Sequence, residues 1–197
     1  MGPSRIRISQ PQNAARLGAQ VPKWGASISF SRRDSNARAR STYYGRRRNI
    51  MRALLDVNVL LALHDPDHTH NEAAHLWWEQ NRARGWASCP LSENGFIRIS
   101  SGSSYSPQTR FTPFEPARLL GAFAASTDHE FWSDSISIRD EAIFSLDLVV
   151  GARQLTDLYL LALAVKNMGR LVTFDRRIPT MAVTGATGEN IVILGDR

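Results

Sequence analysis

The residues MRALLDVNVLLALHD, numbered 51 to 65, decide how the fold is predicted. Residues 51–56 form a continuous apolar run without alternation, which is typical of a strand buried in a parallel sheet. Residues 57–63 then predict a short helix. Asp56 stands between the two elements, and a carboxylate at the edge of buried elements is costly unless it is paired or binds a metal ion.

Apolar strands and helices continue to alternate along the chain. Strands are predicted at 86–91, 131–136, 171–174 and 190–194, and helices at 71–84, 92–99, 116–125, 139–148 and 156–168. Gly85 and Gly169 are expected to end helices, and Ser92 and Thr156 to cap the helices that follow them. Alternating strands and helices imply βαβ crossovers, so we predict a single three-layer α/β domain with a four- to five-stranded parallel sheet.

Three further carboxylates stand beside apolar elements in the same way as Asp56. Glu93 follows the second strand, Asp157 opens the long apolar helix, and Asp175 follows the strand at 171–174. Ligands of open α/β sheets bind beyond the carboxyl ends of the strands, so we expect the four acids to meet in one cleft. Oxygen ligands suit Mg²⁺ or Mn²⁺, and such ions would offset the repulsion between clustered acids.

Each acid also has an ordinary structural explanation. Asp157 would be favourable at a helix N-terminus through the helix dipole alone, and Asp175 could be a loop acid beside Arg176 and Arg177. The order of the four acids along the chain therefore carries more weight than any one of them. Asn58 is placed to hydrogen-bond a neighbouring carboxylate or water. Two threonines near the acids are expected to act as further donors, Thr156 and Thr173.

The net charge of +6 is unevenly distributed along the chain. Residues 1–50 hold 11 of the 24 basic residues and 1 of the 18 acidic residues, so the rest of the chain is acidic. The sequence pI of about 10.2 is therefore no evidence that the folded domain binds nucleic acid. The single cysteine, Cys89, fits a reducing compartment, and no apolar run is long enough to span a membrane, so we predict a cytoplasmic domain.

Residues 1–50 are rich in Arg, Ser, Gly, Asn and Gln and show no period of either a helix or a strand. We predict a basic, disordered leader followed by one nuclease-sized domain at 51–197. Three origins of the leader remain open: translation from a start codon placed too early, with Met51 as the true start; an RNA-contacting arm; and a targeting segment.

Four motifs carry a family resemblance. They are LLDVNVL at 54–60, LSENGFIR at 91–98, LTDLYLLALA at 155–164 and LVTFDR at 171–176. On these motifs, residues 51–197 resemble the PIN-domain nucleases, and among them the VapC-type toxins of prokaryotic toxin–antitoxin pairs. Each motif alone is short and unspecific, whereas all four in this order are quite specific.

The resemblance implies a Mg²⁺- or Mn²⁺-dependent endoribonuclease that cleaves transfer or ribosomal RNA and leaves 5′-phosphate and 3′-hydroxyl ends. Its metal-binding and catalytic acids would be Asp56, Glu93, Asp157 and Asp175, with Asn58 as the polar residue beside the first acid. The resemblance also implies a homodimer and a VapB-type antitoxin whose tail blocks the active site.

Two other functions remain open. A phosphatase would use Asp56 as its nucleophile, but phosphatases of the haloacid-dehalogenase type need a second aspartate where this chain has Asn58. A PIN-like module that only binds RNA or protein would no longer need metal-binding acids, and the four acids argue against it. The chain has no glycine-rich nucleotide-binding motif.

Several other side chains are open to two interpretations. Arg98 either contacts RNA phosphate, as a substrate-binding residue, or pairs with an acid.

Three histidines around Pro66 suggest a zinc site, but they lack a second ligand pair, and a solvated turn is favoured; they are His64, His68 and His70. Five aromatic residues could stack on bases, but core or dimer packing is favoured; they are Trp77, Trp78, Trp86, Phe96 and Trp132.

Overall fold

The computed structural model describes residues 51–105 and 110–195, and the predicted leader at 1–50 lies outside them. The strands are β1 (Ala53–Leu55), β2 (Trp86–Ser88), β3 (His129–Phe131), β4 (Arg170–Thr173) and β5 (Ile191–Ile193). The helices are α1 (Val57–His64), α2 (Asn71–Asn81), α3 (Pro90–Ser100), α4 (Phe114–Ser126) and α5 (Leu155–Lys166). The strands form one parallel sheet in the order β3-β2-β1-β4-β5, which confirms the predicted parallel sheet with five strands.

Helices cover both faces of the sheet, as the three-layer prediction requires. On one face, Ala53 and Leu55 of β1 pack in a core with buried residues of α1, α2, α3 and α4. On the other face, Leu54 packs with the buried residues of α5. Because β1 is buried on both faces, its residues are apolar without alternation. Among the helices in the described parts of the chain, none has the length and apolar character needed to cross a bilayer.

Gly169 allows the chain to turn tightly from α5 into β4. A Cβ atom at this position would lie 2.5 Å from the ring of Trp132 and 2.8 Å from the carbonyl oxygen of Arg52. Only a residue without a side chain fits such a close approach. Helix α5 ends at Lys166, two residues earlier than the predicted end at residue 168, and the chain then turns through Gly169 into β4.

Three elements differ clearly from the prediction. The second strand ends at Ser88 instead of residue 91, because α3 already begins at Pro90. The third strand covers His129–Phe131 instead of 131–136. The helix predicted at 139–148 is wrong, because the structure has turns there and a single 3₁₀ turn at Leu146–Leu148. Side chains bond the local backbone in this segment: Ser137 accepts from the Arg139 amide, and Asp140 accepts from the Ala142 amide. Such bonds compete with helix formation.

The two predicted helix caps are also wrong. Helix α3 begins at Pro90, a favoured residue for the first helical position, and Cys89 is its N-cap. Ser92 lies inside the helix, where its hydroxyl accepts from the Cys89 amide at 2.9 Å. Helix α5 begins at Leu155 after Gln154, so Thr156 is not its cap.

The structure shows where the candidate histidines and aromatic residues lie. His64 is buried at the end of α1 between the rings of Phe96 and Phe123, so the solvated-turn interpretation is wrong for it. His70 is exposed and stacks on Phe174 at 4.5 Å between ring centroids. Core packing is confirmed for four aromatic residues, all buried: Trp78, Trp86, Phe96 and Trp132. Trp77 is partly buried against the same core as Trp78.

Candidate active site

Asp56 is held rigidly at the carboxyl end of β1. Its amide donates to the carbonyl of Val172 at 3.0 Å, which continues the pairing of β1 with β4. One carboxylate oxygen accepts from the Val57 amide at 2.6 Å and so caps α1. The other oxygen accepts from the hydroxyl of Thr173 at 2.9 Å. Thr173 is thus a donor to an acid, as expected, and both oxygens of Asp56 are fixed by neighbouring elements.

Asp175 lies beside Asp56 because Thr173 contacts both residues. The Asp175 amide donates to the Thr173 hydroxyl oxygen at 3.1 Å. Its carboxylate accepts from the Arg177 amide at 2.8 Å and pairs with the exposed Arg177 guanidinium at 3.1 Å. These bonds from Arg177 hold the pKa of Asp175 below its usual range. Asp175 therefore pairs with an arginine beside it in the sequence, as one interpretation expected, and it also lies near the other two aspartates.

Asp157 completes a group that we call the aspartate trio: Asp56, Asp157 and Asp175. Asp157 is half-buried in the first turn of α5. Burial, followed by the negative charges of Asp56 and Asp175, raises its pKa to about 6. The pKa of Asp56 is also raised, first by burial and further by the charge of Asp175. The trio therefore carries an excess of negative charge that the guanidinium of Arg177 only partly offsets.

Glu93 belongs to a separate group of contacts. Its carboxylate oxygen Oε1 accepts from the hydroxyl of Ser88 at 2.5 Å. The same hydroxyl lies 2.8 Å from Nε2 of His129. The structure thus joins three of the four predicted acids in the trio and places the fourth with Ser88 and His129. No pattern in the sequence indicates Ser88 or His129 as a site residue, because their contact depends on strand register.

The remaining predicted side chains are exposed. Asn58 lies in the first turn of α1 and makes no hydrogen bond with the described residues. Arg98 lies in the last turn of α3 and forms no ion pair with the described residues. Thr156 is exposed as well. All three are open to solvent and to a ligand.

The acids suit a hard divalent cation, since all their donor atoms are oxygens and two of the aspartates have raised pKa values. In the described residues, no group of three or more His, Cys, Asp or Glu side chains is arranged to hold a metal ion. Mg²⁺ usually keeps several waters and binds through one or two carboxylates together with substrate phosphate. A partial set of carboxylates therefore fits such an ion.

A close contact between α1 and α3 links the position of Asp56 to that of Glu93. Gly95 lies two residues after Glu93, and a Cβ atom there would be 2.5 Å from Cγ2 of Val57. We expect Gly95→Ala to push the two helices apart and to lower the free energy of unfolding by about 1–3 kcal/mol. Urea unfolding measures the change.

Gly121→Ala in α4 is the matched control, because a Cβ atom there meets nothing within 4 Å. This variant is expected to gain up to about 1 kcal/mol, since alanine favours the helix. Equal stabilities of the two variants would show that α1 and α3 do not need the glycine.

The parallel sheet with helices on both faces and aspartates beyond the ends of β1 and β4 defines a PIN-like α/β domain. The chain is 45% identical to ribonuclease VapC44 of Mycobacterium tuberculosis over 147 residues, 73% of this chain and 100% of the relative. It is 42% identical to ribonuclease VapC39 of the same organism over 135 residues, 68% of this chain and 96% of the relative. No protein-family model matches the chain.

A third relative, ribonuclease VapC38 of Mycobacterium tuberculosis, is 41% identical over 130 residues, 66% of this chain and 89% of the relative. A solved structure of VapBC2 from Rickettsia felis bound to a promoter DNA fragment aligns at 19% identity and a TM-score of 0.42. It covers 66% of this chain and 94% of that chain. On the identities to the three ribonucleases, the chain belongs to the VapC family, and the resemblance to VapC-type toxins is confirmed.

Proposed function

We propose that this protein is an endoribonuclease that depends on Mg²⁺ or Mn²⁺ and hydrolyses phosphodiester bonds in transfer or ribosomal RNA. The family supports the reaction, since the relatives are named ribonucleases. The observation that carries the metal dependence is the aspartate trio, in which Asp56 and Asp157 have raised pKa values through burial and mutual repulsion. A divalent ion relieves that repulsion.

In this proposal, the acidic side chains of the site have two roles, which are metal binding and orientation of the attacking water. One or two of the carboxylates of Asp56, Asp157 and Asp175 would hold the ion, together with waters and substrate phosphate. Asp56 is kept in place by the hydroxyl of Thr173. When bound there, the ion lowers the pKa of the attacking water and neutralises charge on the scissile phosphate. Glu93, assigned to the same metal site from the sequence, orients the attacking water from the side of β2.

Two exposed polar residues bind the substrate and its water. Asn58, in the turn of α1 that follows Asp56, hydrogen-bonds water or a neighbouring acid. Arg98, exposed on α3, contacts an RNA phosphate. Arginine suits this role because its planar guanidinium matches phosphate oxygens.

A VapB-type antitoxin and a second copy of this chain are the proposed protein partners. Large apolar side chains exposed on the domain include Phe114, Val150 and Met181, at 68%, 97% and 83% exposure, and each is a candidate for burial against one of these partners. Size-exclusion chromatography with light scattering checks the dimer, and co-purification with the product of an adjacent small gene checks the antitoxin. The cytoplasmic location stays a prediction from the cysteine content.

RNA cleavage with controlled metal content tests the proposed function. The purified full chain is expected to cleave RNA in Mg²⁺ or Mn²⁺, to stop in EDTA, and to leave 5′-phosphate and 3′-hydroxyl ends. RNA binding without cleavage in either metal would instead indicate a binding module. Hydrolysis of a small phosphomonoester without RNA cleavage would indicate a phosphatase.

A further inference from the structure

Ser88, Glu93 and His129 form a hydrogen-bonded chain that we call the Glu93 relay. The Ser88 hydroxyl lies 2.5 Å from Oε1 of Glu93 and 2.8 Å from Nε2 of His129. Ser88 is fully buried at the end of β2, and Glu93 is half-buried in the first turn of α3. The contact joins residues 41 positions apart, because Trp86 of β2 is in register with His129 of β3.

The single proton of the Ser88 hydroxyl fixes the direction of the relay. An ionised carboxylate only accepts hydrogen bonds, so Ser88 donates to Glu93. The hydroxyl oxygen must then accept from His129, whose Nε2 therefore carries a hydrogen. This direction holds for the neutral ring with its hydrogen on Nε2 and for the charged ring alike. A distance of 2.5 Å between oxygens is in the range of charge-assisted bonds.

The surrounding packing keeps both donors in place. The ring of His129 lies 4.4 Å from the ring of Trp86, which is buried. The turn between β2 and α3 is closed by the bonds between Cys89 and Ser92 at 2.9 and 3.1 Å. Oε1 of Glu93 is thus tied to a rigid strand, while Oε2 makes no hydrogen bond with the described residues. The carboxylate is oriented and still has one oxygen available.

We infer that Ser88 and His129 are positioning residues, which orient the Glu93 carboxylate for its part in RNA cleavage. The inference rests on the proposed ribonuclease function and adds two residues to it. Neither residue reaches the substrate itself in this role. Both act by fixing which oxygen of Glu93 faces the reaction, as partners of catalytic and metal-binding side chains commonly do.

Steady-state kinetics of RNA cleavage test the relay. Ser88→Ala is expected to lower kcat about tenfold or more, with KM within about twofold of wild type, because a lost orienting partner typically costs 10- to 100-fold in activity. Ser100→Ala is the matched control: this serine is also buried, and its hydroxyl bonds the Phe96 carbonyl within α3. Its kcat is expected to equal that of wild type.

Two substitutions at His129 separate hydrogen bonding from packing. His129→Phe keeps an aromatic ring against Trp86 but removes the donor, and we expect the same loss of kcat as in Ser88→Ala. His129→Gln supplies an amide N–H near the position of Nε2 and is expected to restore most of the activity. Equal losses in both His129 variants, or wild-type kcat in Ser88→Ala, would overturn the inference while leaving the ribonuclease proposal intact.

NMR of the full chain gives a readout that does not depend on activity or on the folding of any variant. Long-range ¹⁵N–¹H spectra are expected to show a hydrogen on Nε2 of His129 in the wild type. A ring with its only hydrogen on Nδ1 would contradict the relay directly. Absence of RNA cleavage by the wild type in both metals would overturn the ribonuclease proposal, and the roles given to Ser88 and His129 with it.

Discussion

Asp56→Asn is expected to reduce RNA cleavage by at least about 100-fold, because metal-ion catalysis contributes several kcal/mol and each 1.4 kcal/mol is tenfold in rate. The substitution replaces a carboxylate of the aspartate trio with a neutral group of nearly the same size. The loss is expected in kcat, whereas RNA binding through Arg98 persists.

The fold of this variant is expected to survive for a physical reason. The asparagine oxygen can still accept from the Val57 amide, which caps α1, and the Thr173 hydroxyl can accept from the new amide group. The raised pKa of Asp56 shows that burial disfavours its charged form. Removing that charge relieves repulsion within the trio, so stability in EDTA is retained.

Two measurements check this prediction: single-turnover RNA cleavage, and thermal unfolding with and without Mg²⁺. Wild type is expected to gain stability with Mg²⁺, and Asp56→Asn to lose most of that gain. Asp147→Asn is the control, because it makes the same chemical change at an exposed aspartate that is not a member of the trio. If the Asp56→Asn variant cleaved RNA like wild type, Asp56 would not be a catalytic or metal-binding residue.

His64 is expected to make the stability of the domain fall steeply as the pH drops. Burial lowers the pKa of His64 from 6.5 to about 4. Its Nδ1 bonds the Leu60 carbonyl at 2.8 Å, and its Nε2 has no hydrogen-bond partner in the described structure. Protonation would therefore place a charge between the rings of Phe96 and Phe123 without an acceptor.

The direction of this effect follows from proton uptake by the unfolded chain. His64 binds a proton near pH 6.5 when unfolded but only near pH 4 when folded. Its contribution to stability is therefore fully present above pH 6.5 and is lost as the pH falls towards 4. The full loss amounts to about 3 kcal/mol, of which about 2 kcal/mol falls between pH 7 and pH 5.

Urea unfolding of wild type and His64→Leu at pH 7 and pH 5 measures this contribution. Leucine fills a similar apolar space and removes the titrating ring, while every other group remains common to both proteins. We expect the wild type to lose about 2 kcal/mol more than the variant between the two pH values. Parallel losses in the two proteins would show that His64 takes up a proton without cost in the folded state.

The elements with long apolar runs were predictable from the sequence. Segments in which polar side chains bond to the nearby backbone were not. Strand β1 is buried throughout, and helix α5 contains a continuous buried stretch at residues 160–164, so their composition alone indicates them. Strand β3 lies at the sheet edge and is half exposed, which removes the apolar pattern. At 139–148, the side chains of Ser137 and Asp140 replace helical backbone bonds with turns.

The candidate site divides in a similar way. Asp56 and Asp175 follow adjacent parallel strands, so the ends of β1 and β4 bring them together, as the sequence analysis expects. The contacts of the Glu93 side chain, in contrast, depend on residues far apart in the sequence. Its partner Ser88 contacts His129 only through the register of β2 with β3, and no local pattern in the sequence encodes that register.

The pairing of β1 with β4 sets the time at which the site can exist during synthesis. The Thr173 hydroxyl that fixes Asp56 lies 117 residues further along the chain. Strand β1, at the centre of the sheet, therefore cannot pair with β4 until most of the polypeptide has been synthesised. A nascent chain carries Asp56 early but cannot assemble the aspartate trio until Asp175 has also been synthesised.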